Sequence, residues 1–325
     1  MFLVTGAAGF IGLHVCDALL RAGADVLGVD NFSPYYSVAL KKARLAQLEG
    51  RKGFVFRALD IADHDALAAL PERNDLEVVI HLAAQAGVRH SLDKPFEYAS
   101  ANLTGHLSVL ELCRHAPRGP LLVYASSSSV YGSNVAIPFS EEARVDAPES
   151  LYAATKRADE LMSSAYAALY GLRQIGLRFF TVYGPWGRPD MAYWIFTDKI
   201  LKGEPIRVFN EGRLKRDFTY IDDIIQGVVA TATKPARLPE DRPHRIYNIG
   251  NNSPVELLRF IEVLEGLLGR KAERVLEPMQ PGDVLATCAD IRAIAADYGF
   301  APSTPLEDGL ARFVAWYKEC RGGAG

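Results

Sequence analysis

The sequence predicts an α/β protein, a doubly wound parallel sheet with a smaller, partly discontinuous C-terminal lobe. In the first half, short β-rich runs alternate with longer segments whose apolar residues recur at helical spacing. That is the pattern of βαβ units joined by right-handed crossovers. The runs "VVI" (78–80) and "LLV" (121–123) are apolar without alternation, as expected of strands buried on both faces. After about residue 180 the regularity gives way to the turn-rich "TVYGPWGRPDM" (181–191) and shorter elements.

Strands are expected over 2–5, 25–30, 54–60, 76–83, 120–126 and 173–179, and helices over 10–22, 96–115 and 151–170. "FTYIDDIIQGVVATA" (218–232) reads as a further helix and "HRIYNIGN" (244–251) as a strand that rejoins the sheet. A chain of 325 residues suits one large domain or two. Lys and Arg at 36 against Asp and Glu at 39 give a net charge of −3, with no basic excess to attract nucleic acid. "KKAR" (41–44) reads as a solvated helix face. Cys16, Cys113, Cys288 and Cys320 lack any paired or zinc spacing, and no His spacing suggests a metal. A reducing, cytoplasmic setting fits this cysteine usage. The start "MFLVTGAAGF" lacks the basic segment of a signal peptide, and no apolar run approaches the ~20 residues that span a bilayer.

Chemistry begins in "VTGAAGFIG", where Gly6, Gly9 and Gly12 lie between the first strand and its helix. The spacing GxxGxxG differs from the usual GxGxxG, but the physics is the same: a tight turn and N–H groups at a helix N-terminus that cradle a pyrophosphate. Asp30 ends the second strand, where a carboxylate accepts from ribose hydroxyls and repels a 2′-phosphate. The expected cofactor is NAD rather than NADP.

"YAATK" sets Tyr152 and Lys156 four apart on one helical face. A free phenol, with a pKa near ~10, is a poor base at neutral pH. A nearby ammonium favours the phenolate and corrects that. Of 14 tyrosines, only Tyr152 has a lysine four residues on.

Together the glycine loop, "HLAA" (81–84), Asn102, the serine run "SSSS" (126–129), Tyr152/Lys156 and "RDFTYIDD" (216–223) resemble the extended short-chain dehydrogenase/reductase superfamily. "DNFSPYYSVALKKARL", "AAQAGVRHS", "TVYGPWGRPDMA" and "MQPGDV" are most similar to its UDP-glucuronate 4-epimerase subfamily. The resemblance implies a Rossmann-type NAD domain over 1–180, rejoined by about 217–250, with a nucleotide-sugar lobe from 181–216 and 251–325. It implies NAD contacts from Gly6, Gly9, Phe10, Ile11, Gly12, Asp30, Asn31, Asp60, Ile61, Leu82, Ala83, Ala84, Asn102, Tyr152 and Lys156. Asp60 also reads as a plain strand-end cap.

The resemblance makes Ser127 the hydroxyl partner of Tyr152 at the sugar 4-oxygen. Related dehydratases and decarboxylases carry acidic residues just before "VYG", whereas this chain has Ser128 and Ser129. Neutral donors there accept a sugar carboxylate without repulsion. Thr181 and Arg188 match positions near that carboxylate, and Arg216 the position on the diphosphate, with Arg213 and Arg89 as weaker anion partners and Asp283 at the ribose. Gln280 stands before "PGD" where many relatives have arginine.

The implied reaction is C4 epimerisation of UDP-glucuronate to UDP-galacturonate. Tyr152 takes the 4-OH proton while the C4 hydrogen passes to NAD, and the 4-keto sugar turns over and is reduced on its other face. A 4-epimerase for a neutral sugar such as UDP-glucose/UDP-galactose is the nearest alternative, and a non-catalytic NAD-binding sensor a remoter one. Relatives commonly form homodimers through two helices per subunit, here 96–115 and 151–170.

Overall fold

The computed structural model describes residues 1–133, 136–280 and 283–322. Among these the strands are β1 (Phe2–Thr5), β2 (Val26–Asp30), β3 (Phe54–Ala58), β4 (Val78–His81), β5 (Leu121–Ser127), β6 (Gln174–Phe179), β7 (Thr181–Tyr183), β8 (Ile206–Phe209), β9 (Lys215–Tyr220), β10 (His244–Ile249), β11 (Pro254–Glu256) and β12 (Arg274–Glu277). The main sheet runs β10-β6-β5-β4-β1-β2-β3 with every neighbouring pair parallel. β11-β9-β7 and β12-β8 form two small sheets beside it.

The central strands of the main sheet are buried because helices cover both faces, while the edge strand β3 stays partly exposed. The helix Phe10–Arg21 turns Phe10, Leu13, Cys16 and Leu20 inward at three- and four-residue steps, and burying each large apolar side chain stabilises the fold by about 1.5–3 kcal/mol. It packs against the helix Ile221–Thr233. Register then aligns the strand ends: Thr5 lies opposite Val29 and His81, and His81 opposite Tyr124. The carboxyl ends of the central strands therefore open onto one edge, and the strand order reverses between β1 and β4. A crevice at that point is where open α/β sheets bind ligands.

Three expectations change. The helix expected over 218–232 begins only at Ile221, because Phe218–Tyr220 are taken into β9, parallel to β7. The helix expected over 96–115 is broken by a π-helical turn, Ala99–Thr104, ahead of the regular helix Gly105–His115. And "KKAR" is only half a solvated face: Lys42 and Ala43 are exposed, but Lys41 and Arg44 are buried on the helix Val38–Ala46. Arg44 stays buried because its fork is satisfied: Nε donates to the Trp186 carbonyl (2.9 Å), Nη2 to Gly187 (2.8 Å), and Nη1 to Tyr36 Oη (2.6 Å) and the Ala8 carbonyl (3.3 Å). No helix among the described residues is long and apolar enough to cross a membrane.

Candidate active site at the carboxyl edge of the sheet

The glycine turn is fixed by steric exclusion. Gly6 has φ +74°, a region that favours glycine. A Cβ there would meet the Ala83 nitrogen at 2.8 Å, and a Cβ on Gly12 would sit 1.9 Å from the Gly6 carbonyl oxygen. Gly9 caps the helix with no side chain, so the first-turn N–H groups of Phe10, Ile11 and Gly12 lack helical partners and are available to an anion. The loop after β4 closes the other wall: Leu82 N and Ala83 N donate to the Thr5 carbonyl and Thr5 Oγ1, both at 3.2 Å. Ala84 follows in the same loop.

Asp30 ends β2 with its carboxylate buried. Burial pushes its pKa up, against hydrogen bonds from Phe32 N (2.8 Å) and Ala8 N (3.1 Å) and the charges of Lys41 and Arg44. Each oxygen keeps a lone pair for a further donor. Asn31 Nδ2 donates to Asp60 Oδ2 (3.0 Å), while Asp60 Oδ1 accepts from Ala62 N (2.9 Å), so the strand-end cap exists alongside whatever Asp60 binds. Ile61 is buried, pressed against Gly105. Asn102 spends its amide within the chain: Oδ1 accepts from Gln85 N (2.8 Å), and Nδ2 donates to Gln85 O (3.1 Å) and Thr155 Oγ1 (2.9 Å). It ties the β4 loop to the helix Leu151–Tyr170.

That helix starts where Ser150 caps it, Oγ accepting from Ala153 N (3.1 Å). Tyr152 sits in its first turn, half-buried and edge-on to Tyr98 (centroids 6.1 Å apart). Lys156 is buried one turn on, its Nζ 3.0 Å from Asp159 Oδ2. Burial raises the Asp159 carboxyl to about 6 despite that ammonium.

The serine run divides by role. Ser126 is buried and donates to Glu160 Oε1 (2.6 Å). Ser127 ends β5 and caps the turn Ser128–Tyr131, its Oγ accepting from Ser129 N (3.2 Å) and Ser129 Oγ (2.8 Å). With its acceptor sites so used, the Ser127 hydroxyl has its proton left to donate. Ser128 and Ser129 are half-buried on the turn itself.

Sequence reasoning missed what braces this turn. Arg178, inside an apolar strand, binds Glu160 through Nε (2.8 Å) and Nη2 (2.9 Å) and Tyr131 Oη through Nη1 (2.9 Å). Burial alone would raise the Glu160 carboxyl, yet Arg178, Ser126 and Arg157 hold it below its usual value. The serine turn is thus anchored at both ends, Ser126 and Tyr131, to one buried ion pair. An arginine amid "IGL" and "FF" was the available signal.

Among the residues expected to meet the sugar nucleotide, Thr181 begins β7, half-buried. Arg188 pairs with Asp190, Arg213 with Glu211 (2.8 Å), and Arg216 with Asp283, which the structure thereby brings together. Arg89 stacks over the Phe209 ring (5.2 Å). Pro281 and Gly282 of "PGD" lie outside the described residues.

A glycine cradle at a strand–helix turn, a buried acid at the next strand's end and a tyrosine–lysine helix beside a hydroxyl turn define a dinucleotide-dependent α/β enzyme. A profile described as the NAD dependent epimerase/dehydratase family matches residues 2–250. UDP-glucuronate 4-epimerase 2 of Arabidopsis thaliana is 48% identical over 326 residues, spanning 97% of this chain and 75% of that protein. The probable UDP-glucuronate 4-epimerase of Rhizobium meliloti (strain 1021) is 46% identical over 332 residues, 98% of this chain and 97% of that one. The crystal structure of UDP-glucuronic acid 4-epimerase from Bacillus cereus, in complex with UDP-glucuronic acid and NAD, superposes with a TM-score of 0.90 at 35% identity, covering 98% of this chain and 99% of that one. The chain belongs to the NAD dependent epimerase/dehydratase family, within the extended short-chain dehydrogenase/reductase superfamily.

Proposed function

We infer that this chain epimerises UDP-glucuronate at C4 to UDP-galacturonate, using NAD. The observation that carries the reading is the turn Ser127–Tyr131 beside Tyr152 and Lys156: it offers hydroxyls at Ser128 and Ser129 and no carboxylate to drive elimination. Relatives named UDP-glucuronate 4-epimerase at 46–48% identity support the substrate.

The residues present fit NAD. The Gly6–Gly12 turn leaves no room for a Cβ and keeps unpartnered N–H groups available, and Asp30 retains acceptor capacity at the end of β2. Bound NAD supplies the acceptor and donor for the C4 hydrogen. Phe10, Ile11 and the glycines would hold the pyrophosphate, Asp30 and Asn31 the adenosine ribose, Asp60 and Ile61 would border the adenine, and Leu82, Ala83 and Ala84 would line the crevice on the nicotinamide half.

Tyr152, as phenolate, removes the 4-OH proton, and the Lys156 ammonium stabilises that charge. Ser127 donates to the 4-oxygen and steadies the 4-keto form. Arg216, Arg213 and Arg89 bind the diphosphate end, so the sugar can turn over while the nucleotide stays. Ser128, Thr181 and Arg188 hold the sugar carboxylate, and Ser129 joins them when its hydroxyl turns from Ser127 to the substrate. A 4-keto uronic acid is a β-keto acid and loses CO₂ when its carboxyl bond stands perpendicular to the carbonyl plane, so fixing the carboxylate suppresses decarboxylation.

On this reading residues 1–180, rejoined by about 217–250, form the NAD domain, and 181–216 with 251–325 the nucleotide-sugar lobe. The pairing of β10 with β6 supports the rejoining. The protein works in the cytoplasm as a homodimer; exposed Leu107, Leu161 and Leu169 on the two expected helices support the contact, and a monomer by light scattering would remove it.

One experiment tests the activity: NMR of UDP-glucuronate incubated with the protein and NAD. UDP-galacturonate accumulates, Tyr152→Phe slows it by about 10²–10⁴-fold, and Ser128→Ala/Ser129→Ala releases CO₂ and a UDP-pentose. Equal turnover of UDP-glucose would shift the reading to a neutral-sugar epimerase, and a fully active Tyr152→Phe would sink the base assignment.

A further inference from the structure

Three loops far apart in sequence meet on the substrate side of the crevice: residues 31–37 after β2, 82–90 after β4 and 184–191 after β7. At their junction Arg188 donates through Nε to Asp190 Oδ1 (3.1 Å) and through Nη2 to Oδ2 (2.5 Å), and Tyr35 Oη donates to the same Oδ2 (3.0 Å). Close packing holds Tyr35 in place. Gly87 has φ +102°, a Cβ on it would lie 2.4 Å from Tyr35 Oη, and the Tyr35 ring lies against His90 at 4.6 Å. The arginine loop is held as firmly: Arg188 N donates to Tyr193 Oη (3.0 Å), and buried Arg44 grips the carbonyls of Trp186 and Gly187.

We propose that Asp190 and Tyr35 are positioning residues that hold the Arg188 guanidinium for the sugar carboxylate, and so set selectivity for an acidic over a neutral sugar. The proposal rests on the reading of Arg188 as a partner of that carboxylate. A guanidinium carries five N–H donors in a rigid fork. Two bonds to Asp190 orient the fork and leave donors for a second carboxylate. Asp190 stays ionised to do this: burial would raise its carboxyl, but Arg188 and Tyr35 hold it below the usual range. Arg188 and Asp190 flank Pro189, whose ring fixes φ, so the pair closes a short, stiff loop. A flexible arginine fixed before the substrate arrives loses less freedom on binding.

The test uses the NAD-loaded full chain and calorimetric affinities for UDP-glucuronate, UDP-glucose and UDP. Asp190→Asn weakens UDP-glucuronate about tenfold (about 1.4 kcal/mol), and the milder Tyr35→Phe about threefold, with UDP-glucose and UDP within twofold of the parent. Arg188→Gln separates the two readings. If it leaves UDP-glucuronate unaffected, the assignment of Arg188 fails, and the proposal with it. If Arg188→Gln weakens UDP-glucuronate but Asp190→Asn does not, the positioning role alone is overturned. Tighter binding in Asp190→Asn overturns it too, since Asp190 would then be a competitor for the arginine. A parallel loss of all three ligands means the loop has merely unfolded, and equally defeats the proposal.

Discussion

The two sides of the crevice are built from different materials. On the cofactor side the decisive groups are backbone: the Gly6 and Gly12 turn, the helix N–H groups, the Ala83 loop pinned to Thr5. On the substrate side they are long side chains, and Arg188, Arg213 and Arg216 each already hold a carboxylate of their own chain. A backbone cradle reorients only by unfolding. The exposed Arg213–Glu211 pair is worth about 0–1 kcal/mol and exchanges partners easily. An arginine fork that keeps one carboxylate still has N–H groups for another. The contrast suits an enzyme that keeps its NAD while its sugar turns over.

The harshest way to break the comparison is Gly12→Ala. Its Cβ would lie 1.9 Å from a backbone carbonyl oxygen that no side-chain rotation can move. We expect a loss of about 3 kcal/mol or more in urea unfolding, as for severe overpacking, together with complete loss of bound NAD after gel filtration. Stoichiometric NAD in that variant would mean the cradle is softer than its geometry.

The glycine turn and the acid after it were legible as structure because their signals are local. A strand, three glycines and an acid at the end of the next strand all fall within 30 residues, and the Tyr152–Lys156 pair needs only one helical turn. The misreadings share one cause. Arg44 looked solvated because its partners Trp186 and Gly187 lie 142 and 143 residues away. Phe218–Tyr220 looked helical because the strand that claims it, β7, is distant in sequence. Likewise the Glu160–Arg178 pair, which braces the serine turn, joins a helix to a strand, so neither periodicity reports it. What pairs across the fold is invisible to a reading along the chain.

Acid sharpens the comparison next, because the sheet side buries neutral histidines. Burial pushes His81 down to about 3 and His244 to about 4, and His106 well below its usual value. Unfolded, each takes up a proton near pH 6.5, so stability is full above that pH and falls as pH drops toward the folded values. Asp159, raised by burial to about 6, acts in the opposite sense, gaining stability as pH falls through that value toward 3.8. Among these four groups three protons are gained on unfolding and one is given up, roughly 2–3 kcal/mol per pH unit at most between about pH 6 and 5. His14, also lowered, adds to that loss, and Asp30, Glu141 and Asp217, also raised by burial, oppose it. The urea midpoint should fall clearly from pH 7.5 to 5.5, and a flat midpoint would contradict the buried, neutral histidines.

The smallest effect is the most discriminating. Arg216 Nη2 bonds Asp283 Oδ1, and both side chains are about four-fifths buried, at 17% and 26% exposure. If Asp283 only holds the arginine until a diphosphate arrives, Asp283→Asn removes a competing charge, and UDP binds more tightly, by about threefold (~0.7 kcal/mol). If Asp283 contacts the ribose, the same substitution loses a charged acceptor and UDP binds more weakly. We expect the first result, since Arg216 Nη1 is already turned to the Lys215 and Leu285 carbonyls, so the Nη2 edge that holds Asp283 must serve the diphosphate instead. Calorimetry with UDP on the NAD-loaded protein reads the sign directly. Weaker binding would place part of the substrate side among fixed ligand contacts and narrow the contrast with the cofactor cradle.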